Sequence, residues 1–421
     1  MYKRQITVLV EKIAPDGEGL ALYDGNRIFI PLSAPGDLIK ANIIEEHGFW
    51  ARAAIQEICE FSPQRAAPQC PYYGECGGCS LQHLSYQAQL DVKKAILAET
   101  LTQTKKPGTE APHEPSPEFP SITVIPSEPW EYRNRVSLHA LRSNRFPRCG
   151  FKARKDAAVI PLEDCPAAVS GIRKVLHRLL PPPGKDRFTI YSKDALLIAE
   201  TGTSIADDKT GNGFKQTISG RGTITLSGRE ITLEAASFFQ SNAGALENLV
   251  CRLREAAEKA VSGSKNTAHM ADLYAGVGTL SVFIADLFPG GIDVVEADSN
   301  ALNLAKSNLS RLQQTDSERY TQSGGKNRFF PQKMEQWVKK RNLGSYDFIV
   351  ADPPRQGLSP ILIQSLCRSG PPVFVYVSCE AQTFARDFHM LKQNYKPEGL
   401  ILYDFYPQTA HIETMGIFIR K

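Results

Sequence analysis

The sequence predicts an α/β fold: a C-terminal Rossmann-like sheet preceded by an OB-type β-barrel and a β-rich central domain. Three observations predict it. Strand-like and helix-like runs alternate from residue 270 onward, the pattern of a doubly wound sheet. A glycine turn, DLYAGVGTLS, joins one of those strands to its helix. Five short strands broken by glycine turns fit into the first 60 residues, as in small barrels whose faces commonly bind oligonucleotides.

Taken in order, ITVLV puts Ile6, Val8 and Val10 on one strand face, by the period of two. GLALY, RIFIPL and DLIKANII follow across DGEG and DGN turns. Residues 61–90 carry three close cysteines, and QHLSYQAQLDVKKAILAETL reads as a helix. TQTKKPGTEAPHEPSPEFPS has almost nothing to bury and predicts a flexible linker near residues 102–120. SITVIPS, YRNRVSLHAL, RCGFKA, GRGTITLSG and REITLEAASFF make residues 121–235 β-rich. Seven strands then follow: HMADLYAG, GIDVVEAD, NRFFPQ, YDFIVADPP, PVFVYVSC, LILYDFYP and HIETMGIFI, the last two as a terminal hairpin. TLSVFIADLF, SNALNLAKSNLSRL, MEQWVKKRN, SPILIQSLC and AQTFARDFHMLKQ supply helices between them. The expected domains are residues 1–60, 61–235 and 236–421.

A chain of 421 residues exceeds one ordinary core, and 42% hydrophobic residues suffice for several. Its 49 Lys and Arg against 45 Asp and Glu leave +4, which permits a polyanionic partner without demanding one. The start MYKRQITVLVEK has too short an apolar run for a secretion signal, and no apolar stretch approaches a membrane span of about 20 residues. A cytoplasmic chain is the expectation. Its nine cysteines are then reduced, and are read for metal binding or catalysis before disulfides.

Gly276 and Gly278 let the backbone of the glycine turn approach a ligand, with Thr279 opening the helix and Ser281 where a third glycine would stand. Glu296 ends the next strand, where a carboxylate can accept both hydroxyls of a ribose. That pair suits an adenosine-bearing cofactor, NAD or S-adenosylmethionine (SAM). The incomplete GxGxxG and the DPPR at the fourth strand's end favour SAM. Cys379 ends a run of β-branched and aromatic residues, and a strand-end thiol can act on a substrate in the cleft above a parallel sheet. Pro353 and Pro354 stiffen the turn that presents Asp352 and Arg355. Cys70, Cys76 and Cys79 in CPYYGECGGCS, with Cys165 as a distant fourth, can hold zinc or a cubane iron–sulfur cluster, and spacing separates the two poorly. Cys59, Cys149, Cys251 and Cys367 lack such context and are read as core or surface residues.

With SFFQSN, DLYAGVGTLS, DPPRQG, YVSC, the terminal HIET, the cysteine cluster and the barrel, the chain resembles the RNA uridine-C5 methyltransferases over essentially its whole length. It resembles specifically the members with an N-terminal TRAM domain and an iron–sulfur cluster. The resemblance implies a class I methyltransferase sheet, Cys379 as nucleophile and Glu413 as proton acceptor. It implies contacts to SAM from Gln240, Tyr274, Glu296 and Asp352, and a [4Fe–4S] cluster on Cys70, Cys76, Cys79 and Cys165. The implied partner is RNA, 23S rRNA ahead of tRNA, bound by a monomer. The chain departs from the family pattern at Glu380-Ala381, where Asn-Pro commonly follows the cysteine, and at Lys333, where Asn or Asp often stands.

Uracil C5 is a poor nucleophile toward a methyl sulfonium until a thiolate adds at C6. Cys379 is expected to make that bond, and Glu413 to remove the C5 proton after methyl transfer so that the thiolate leaves. His411, two residues from Glu413 and read on the same strand face, is the rival base. Asp352 is expected to accept from the base's N3–H or to seat the cofactor, and Arg355 to stabilise carbonyl charge or grip phosphate. Tyr23, Phe29 and Trp50, with Arg27, Lys40 and Arg52, read either as barrel core or as a grip on single-stranded nucleotides; Arg133 and Arg135 read as phosphate contacts. Two rival readings are a purine N-methyltransferase and a non-enzymatic RNA-binding protein. The first needs no thiol and usually ends its proline turn with an aromatic, where Arg355 stands here.

Overall fold

The structure is a computed structural model describing residues 4–102, 119–141, 148–206, 215–263, 267–315 and 326–421. Most of the linker expected near residues 102–120 lies outside the described residues.

Strands β1 (Arg4–Ile13), β2 (Gly19–Tyr23), β3 (Asn26–Ile30), β4 (Leu38–His47) and β5 (Trp50–Glu60) close into a barrel in the order β1-β2-β3-β5-β4. Ile6, Val8 and Val10 alternate inward as their spacing predicts and meet Ile28, Ile30, Ile39 and Ile43 in its core. Helix α1 (Tyr86–Thr102) follows the cysteine segment, and β6 (Ile122–Ile125) follows it. The central region contains β7 (Arg135–Leu141), β8 (Arg148–Lys152), β9 (Val159–Pro161), α2 (Ser170–Leu176), β10 (Leu179–Leu180), β11 (Arg187–Lys193), β12 (Leu196–Ala199), β13 (Ser204–Ala206) and β14 (Lys215–Thr217). These form one five-stranded sheet, β12-β11-β7-β8-β9, and one of three strands, β10-β13-β14. A hairpin, β15 (Arg221–Leu226) and β16 (Arg229–Glu234), leads to α3 (Ala243–Val261).

The C-terminal region runs β17 (His269–Leu273), α4 (Thr279–Ile284), β18 (Gly291–Glu296), α5 (Ser299–Thr315), β19 (Arg328–Pro331), α6 (Met334–Val338), β20 (Phe348–Ala351), α7 (Pro360–Ser369), β21 (Val373–Ser378), α8 (Ala381–Leu391), β22 (Tyr395–Tyr403) and β23 (Glu413–Arg420). The sheet order is β19-β18-β17-β20-β21-β23-β22-β6, with β22 and β23 the expected antiparallel hairpin. Both faces are covered, and the strands divide their residues between them. Val373, Val375 and Val377 of β21 join one core cluster, while Phe374 and Tyr376 join the other.

Two elements read as part of a β-rich region over residues 61–235 sit elsewhere. Strand β6 pairs in parallel with β22 and extends the large sheet. The β15–β16 hairpin buries Ile224, Leu226, Ile231 and Leu233 in the core formed with α3, α4 and α5. Asn308 of α5 ties it down by accepting from Thr232 N–H and donating to Thr232 O. A four-residue apolar strand carries no record of which sheet it joins; only its distant partner decides. Among the described residues no helix is long and apolar enough to cross a membrane.

Candidate active site

A cavity of about 940 Å³ opens at the carboxyl edge of the large sheet, around the point between β17 and β20 where the strand order reverses. Its walls are the segments leaving successive strands: residues 274–276 after β17, Glu296 at the end of β18, Lys333 after β19, residues 352–355 after β20 and Cys379 after β21. Residues 238–241, between β16 and α3, close one side. Gln240, Tyr274, Gly276, Thr279, Glu296, Asp352, Arg355, Cys379 and Glu413 therefore all face one space.

Gly278 does not. It has φ +78°, and a Cβ there would lie 3.0 Å from the Ala305 Cβ on α5, so this glycine lets two helices approach rather than a ligand. Gly276, at φ +55°, has open space where a side chain would be. Tyr274 also takes the left-handed region, φ +62°, a conformation costly for tyrosine and concentrated at functional sites. Glu296 is held by Gly276 N–H on Oε2 (2.9 Å) and by Asp298 N–H on Oε1 (2.7 Å), leaving lone pairs for two hydroxyls. Ser281, where a third glycine would stand, donates its hydroxyl (2.6 Å) and N–H (3.2 Å) to Asp272 Oδ2.

At the other end of the cavity, β21 and β23 are antiparallel neighbours with Ser378 opposite Thr414. Cys379 follows Ser378 directly, in a bend just past the last pair, and Glu413 directly precedes Thr414, so both line the cavity at this end of the β21–β23 pair. His411 is not on that strand face. Strand β23 begins at Glu413, and His411 lies exposed in the preceding loop, where its N–H donates to Thr409 Oγ1. Helix α8 starts at Ala381 despite the departure from Asn-Pro: Phe384 N–H donates to Glu380 O (3.0 Å) to close the first turn.

Burial dominates the electrostatics here. It lifts Asp272 to about 7, and with the charge of Asp272 it lifts Asp352 to about 7. Burial and then the charge of Asp352 raise Glu413, which is 1% exposed, well above the usual carboxylate range. The Cys379 thiol is pushed up to about 12 by burial, then by Glu413 and Asp352, with Arg355 opposing. Gln240 Oε1, Asp272 Oδ1 and Glu413 Oε1 are buried without a hydrogen-bond partner, as expected of groups that meet a polar ligand.

A carboxyl raised in the folded state binds its proton more tightly there than in the unfolded chain. Its contribution to stability is therefore present near pH 4 and is lost as pH rises toward about 7. Asp352→Asn is expected to raise Tm at pH 8 and to change it much less at pH 5, measured by thermal melting at the two values; equal shifts at both would contradict the assignment.

Residues 219–421 match the tRNA (uracil-5-)-methyltransferase family. An RNA methyltransferase of Treponema denticola, uncharacterized by name, is 31% identical over 409 residues, covering 94% of this chain and 95% of its own length. The chain belongs to the RNA uracil-C5 methyltransferase family. It is a SAM-dependent enzyme acting on RNA, which sets aside both rival readings. A tRNA (uracil(54)-C(5))-methyltransferase of Pyrococcus furiosus is 29% identical over 97% of this chain and 98% of its own. The crystal structure of the Pyrococcus abyssi tRNA (uracil-54, C5)-methyltransferase with S-adenosyl-L-homocysteine shares the fold, with a TM-score of 0.69 at 23% identity, covering 98% of this chain and 100% of that one.

In this RNA uracil-C5 methyltransferase, Cys70, Cys76, Cys79 and Cys165 line one small cavity, and none of them is in a disulfide. Among the described residues, no three or more His, Cys, Asp or Glu form a group that could hold a metal ion. Cys149 is buried and Cys59 and Cys251 are exposed, away from that cavity. Arg133 is not placed outward toward a phosphate. Its Nη2 donates to Tyr132 Oη (3.0 Å) and to Gly78 O (3.4 Å), and the residue lines both the cysteine cavity and the large cavity at the sheet edge. Arg135 lines the large cavity with its guanidinium over Phe238, which is 62% exposed.

On the methyltransferase's barrel, Arg27, Phe29, Trp50 and Arg52 line one shallow groove with Phe49, which is 88% exposed. The parallel register of β3 and β5, Arg27 opposite Trp50 and Phe29 opposite Arg52, gathers them. Phe29 and Trp50 are outside the barrel core, whereas Tyr23 packs partly against it and Lys40 is not in the groove. Sequence reading did not single out Asp272, Phe238, Phe49 or Tyr406. An acid six residues before Gly278 was visible as a pattern; Tyr406 and Phe49, in connections between strands, carried no signal.

Proposed function

We propose that this enzyme forms 5-methyluridine in a folded RNA by transient covalent catalysis. The observation that carries the reading is that Cys379 and Glu413, each one residue beyond the paired Ser378 and Thr414, line one cavity with Asp352 and Arg355. SAM, seated by Gln240, Tyr274, Gly276 and Glu296, supplies an electrophilic methyl group. Cys379 Sγ bonds to uracil C6, and the electron pair of the C5–C6 double bond moves toward the carbonyl, on the side where Arg355 can offset its charge. C5 then bonds to the methyl carbon as the sulfonium S–CH3 bond breaks, its electron pair staying on sulfur. Glu413 removes the proton left on C5, the C5–C6 double bond re-forms, and the C6–S bond breaks. Asp352, carrying a proton at neutral pH or close to it, can hydrogen-bond the base whichever edge faces it. The test is a covalent adduct with 5-fluorouridine RNA and SAM, in which fluorine replaces the proton that Glu413 must remove.

The four cysteines, which line one cavity but form no metal-holding group as they stand, are proposed to close on a [4Fe–4S] cluster rather than on an ion with mixed ligands, since all four offer sulfur. Asp164, the one carboxylate lining their cavity, is held by Arg173 through both oxygens (2.8 and 2.7 Å). Bound there, the cluster would supply a cross-link between the 70–79 segment and Cys165, since the methylation moves no net electrons. Iron and sulfide analysis after anaerobic purification distinguishes it from zinc.

The barrel groove is proposed to hold single-stranded nucleotides flanking the target, which must leave its stack to reach a cavity this deep. Stacking on an aromatic is worth about 1–3 kcal/mol per base. Trp50→Ala is therefore expected to raise KM for RNA about 5- to 150-fold with kcat unchanged, measured by steady-state methyl transfer. The layout of barrel, cysteines and catalytic region supports 23S rRNA as substrate. The full-length similarity to an archaeal tRNA methyltransferase supports the tRNA reading. Labelled SAM offered to undermodified 23S rRNA and tRNA, followed by mapping of the labelled nucleotide, decides between them.

A further inference from the structure

The loop of residues 404–412 joins β22 to β23, lines the catalytic cavity with Tyr406, Thr409 and His411, and delivers Glu413 to its strand. It is gripped by elements remote in sequence, the cysteine segment and α1. Gln408 is the centre of that grip. It is 3% exposed and has φ +68°, a backbone conformation that glutamine keeps only where its surroundings hold it. Its carbonyl accepts from Ser80 N–H and Leu81 N–H, both at 2.9 Å. Its N–H donates to Gln89 Oε1 (2.8 Å), while Gln89 Nε2 donates to Gln408 Oε1 (3.0 Å) and Gln408 Nε2 donates to Pro129 O (3.1 Å). Ala410 N–H donates to Ser80 Oγ (3.1 Å). At the start of the loop, fully buried Lys93, one turn along α1 from Gln89, donates to Asp404 Oδ1 (2.5 Å) and Tyr406 O (2.9 Å).

Neither Gln89 nor Gln408 lines the catalytic cavity. The two ends of the proposed reaction also depend on this loop unequally. Cys379 follows β21, an inner strand held on one side by parallel pairing with β20, which does not involve residues 404–412. Glu413 is the first residue of β23, directly after the loop. A loop that shifts moves Glu413 before it moves Cys379.

We propose that the Gln89–Gln408 pair is a positioning device for proton removal: it holds residues 404–412 so that Glu413 enters its strand in the cavity it shares with Cys379. The inference rests on the roles proposed above for Cys379 and Glu413. Its signature is a selective one. Loosening the pair slows elimination while leaving addition and methyl transfer largely intact, so the methylated protein–RNA adduct accumulates on ordinary, unfluorinated RNA.

The test compares native protein with Gln89→Leu and Gln408→Asn, the second chosen because asparagine tolerates the left-handed region but is too short to span the pair. Single-turnover methyl transfer, steady-state turnover and the adduct on a denaturing gel are each measured per folded protein, the folded fraction coming from thermal melting. The expected result is turnover reduced at least 10-fold, methyl transfer within about threefold of native, and adduct visible on unfluorinated RNA. Loss of methyl transfer in proportion to turnover without adduct, or unchanged turnover, overturns the proposal. If both variants fail to fold, Gln408→Gly, which frees the backbone of its conformational cost, takes their place with the same criteria. Glu413→Gln and Cys379→Ala are run alongside. If Glu413→Gln gives no adduct, the role of Glu413 is wrong; if it does and the pair variants do not, the positioning role alone fails.

Discussion

Cys379→Ala is expected to abolish methyl transfer, by about 10⁴-fold or more, and to give no adduct with 5-fluorouridine RNA, while RNA and SAM still bind. The size of the effect follows from uracil chemistry. Without a bond at C6 there is no enolate-like electron density at C5, and no neighbouring group in the cavity can replace the thiol. The native protein carries a second consequence of the same site. Burial and two carboxylates push the Cys379 thiol up to about 12, so the reactive thiolate is scarce at neutral pH and grows about tenfold per pH unit below that value. Glu413, also raised, reaches its proton-accepting form more fully as pH rises. Thiolate formation belongs to the steps up to methyl transfer, so kcat/KM for the free enzyme is expected to climb from about pH 6 to pH 9, while Glu413, acting after that transfer, adds its effect to kcat alone. A profile falling over that range would show that the resting ionisation of Cys379 does not limit the reaction.

The parts of this site legible in the sequence are those written into local pattern. A strand, a glycine turn and a helix place Gly276, and an acid at the next strand's end places Glu296, because each depends only on its own element. What joined them was not legible. Cys379 and Glu413 meet because β23 inserts antiparallel between β21 and β22, and no residue near either one encodes that neighbour. Gly278 shows the converse: the motif read it as space for a ligand, while Ala305 on a following helix makes it space for packing. Arg133 and Arg135 alternate in sequence, a spacing that predicts a shared role, yet strand β7 begins only at Arg135 and the tertiary fold sets Arg133 in the lining of two cavities. Strand β6, four residues long, joined the large sheet through pairing with a partner near the C-terminus.

Glu413→Gln is expected to lower turnover by about 10²- to 10⁴-fold, the usual worth of a positioned general base, and to do so after methyl transfer rather than before it. Glutamine keeps the shape of the side chain and a hydrogen-bonding oxygen but accepts no proton at neutral pH. Addition by Cys379 and attack of C5 on the methyl group need no base at C5, so the variant should stall as a methylated adduct on ordinary RNA. His411 gives this outcome its discriminating force. It lines the same cavity from the loop, off the strand that carries Glu413. If His411 were the base, Glu413→Gln would turn over near the native rate and His411→Ala would accumulate the adduct. The sheet argues for the first result: Glu413 is paired with Tyr403 of β22 and adjoins the Ser378–Thr414 pair that leads to Cys379, whereas His411 has only the loop, whose hydrogen bonds run to α1 and the cysteine segment. Mass analysis of the stalled species, showing one RNA and one transferred methyl group per protein, fixes the step at which it stopped.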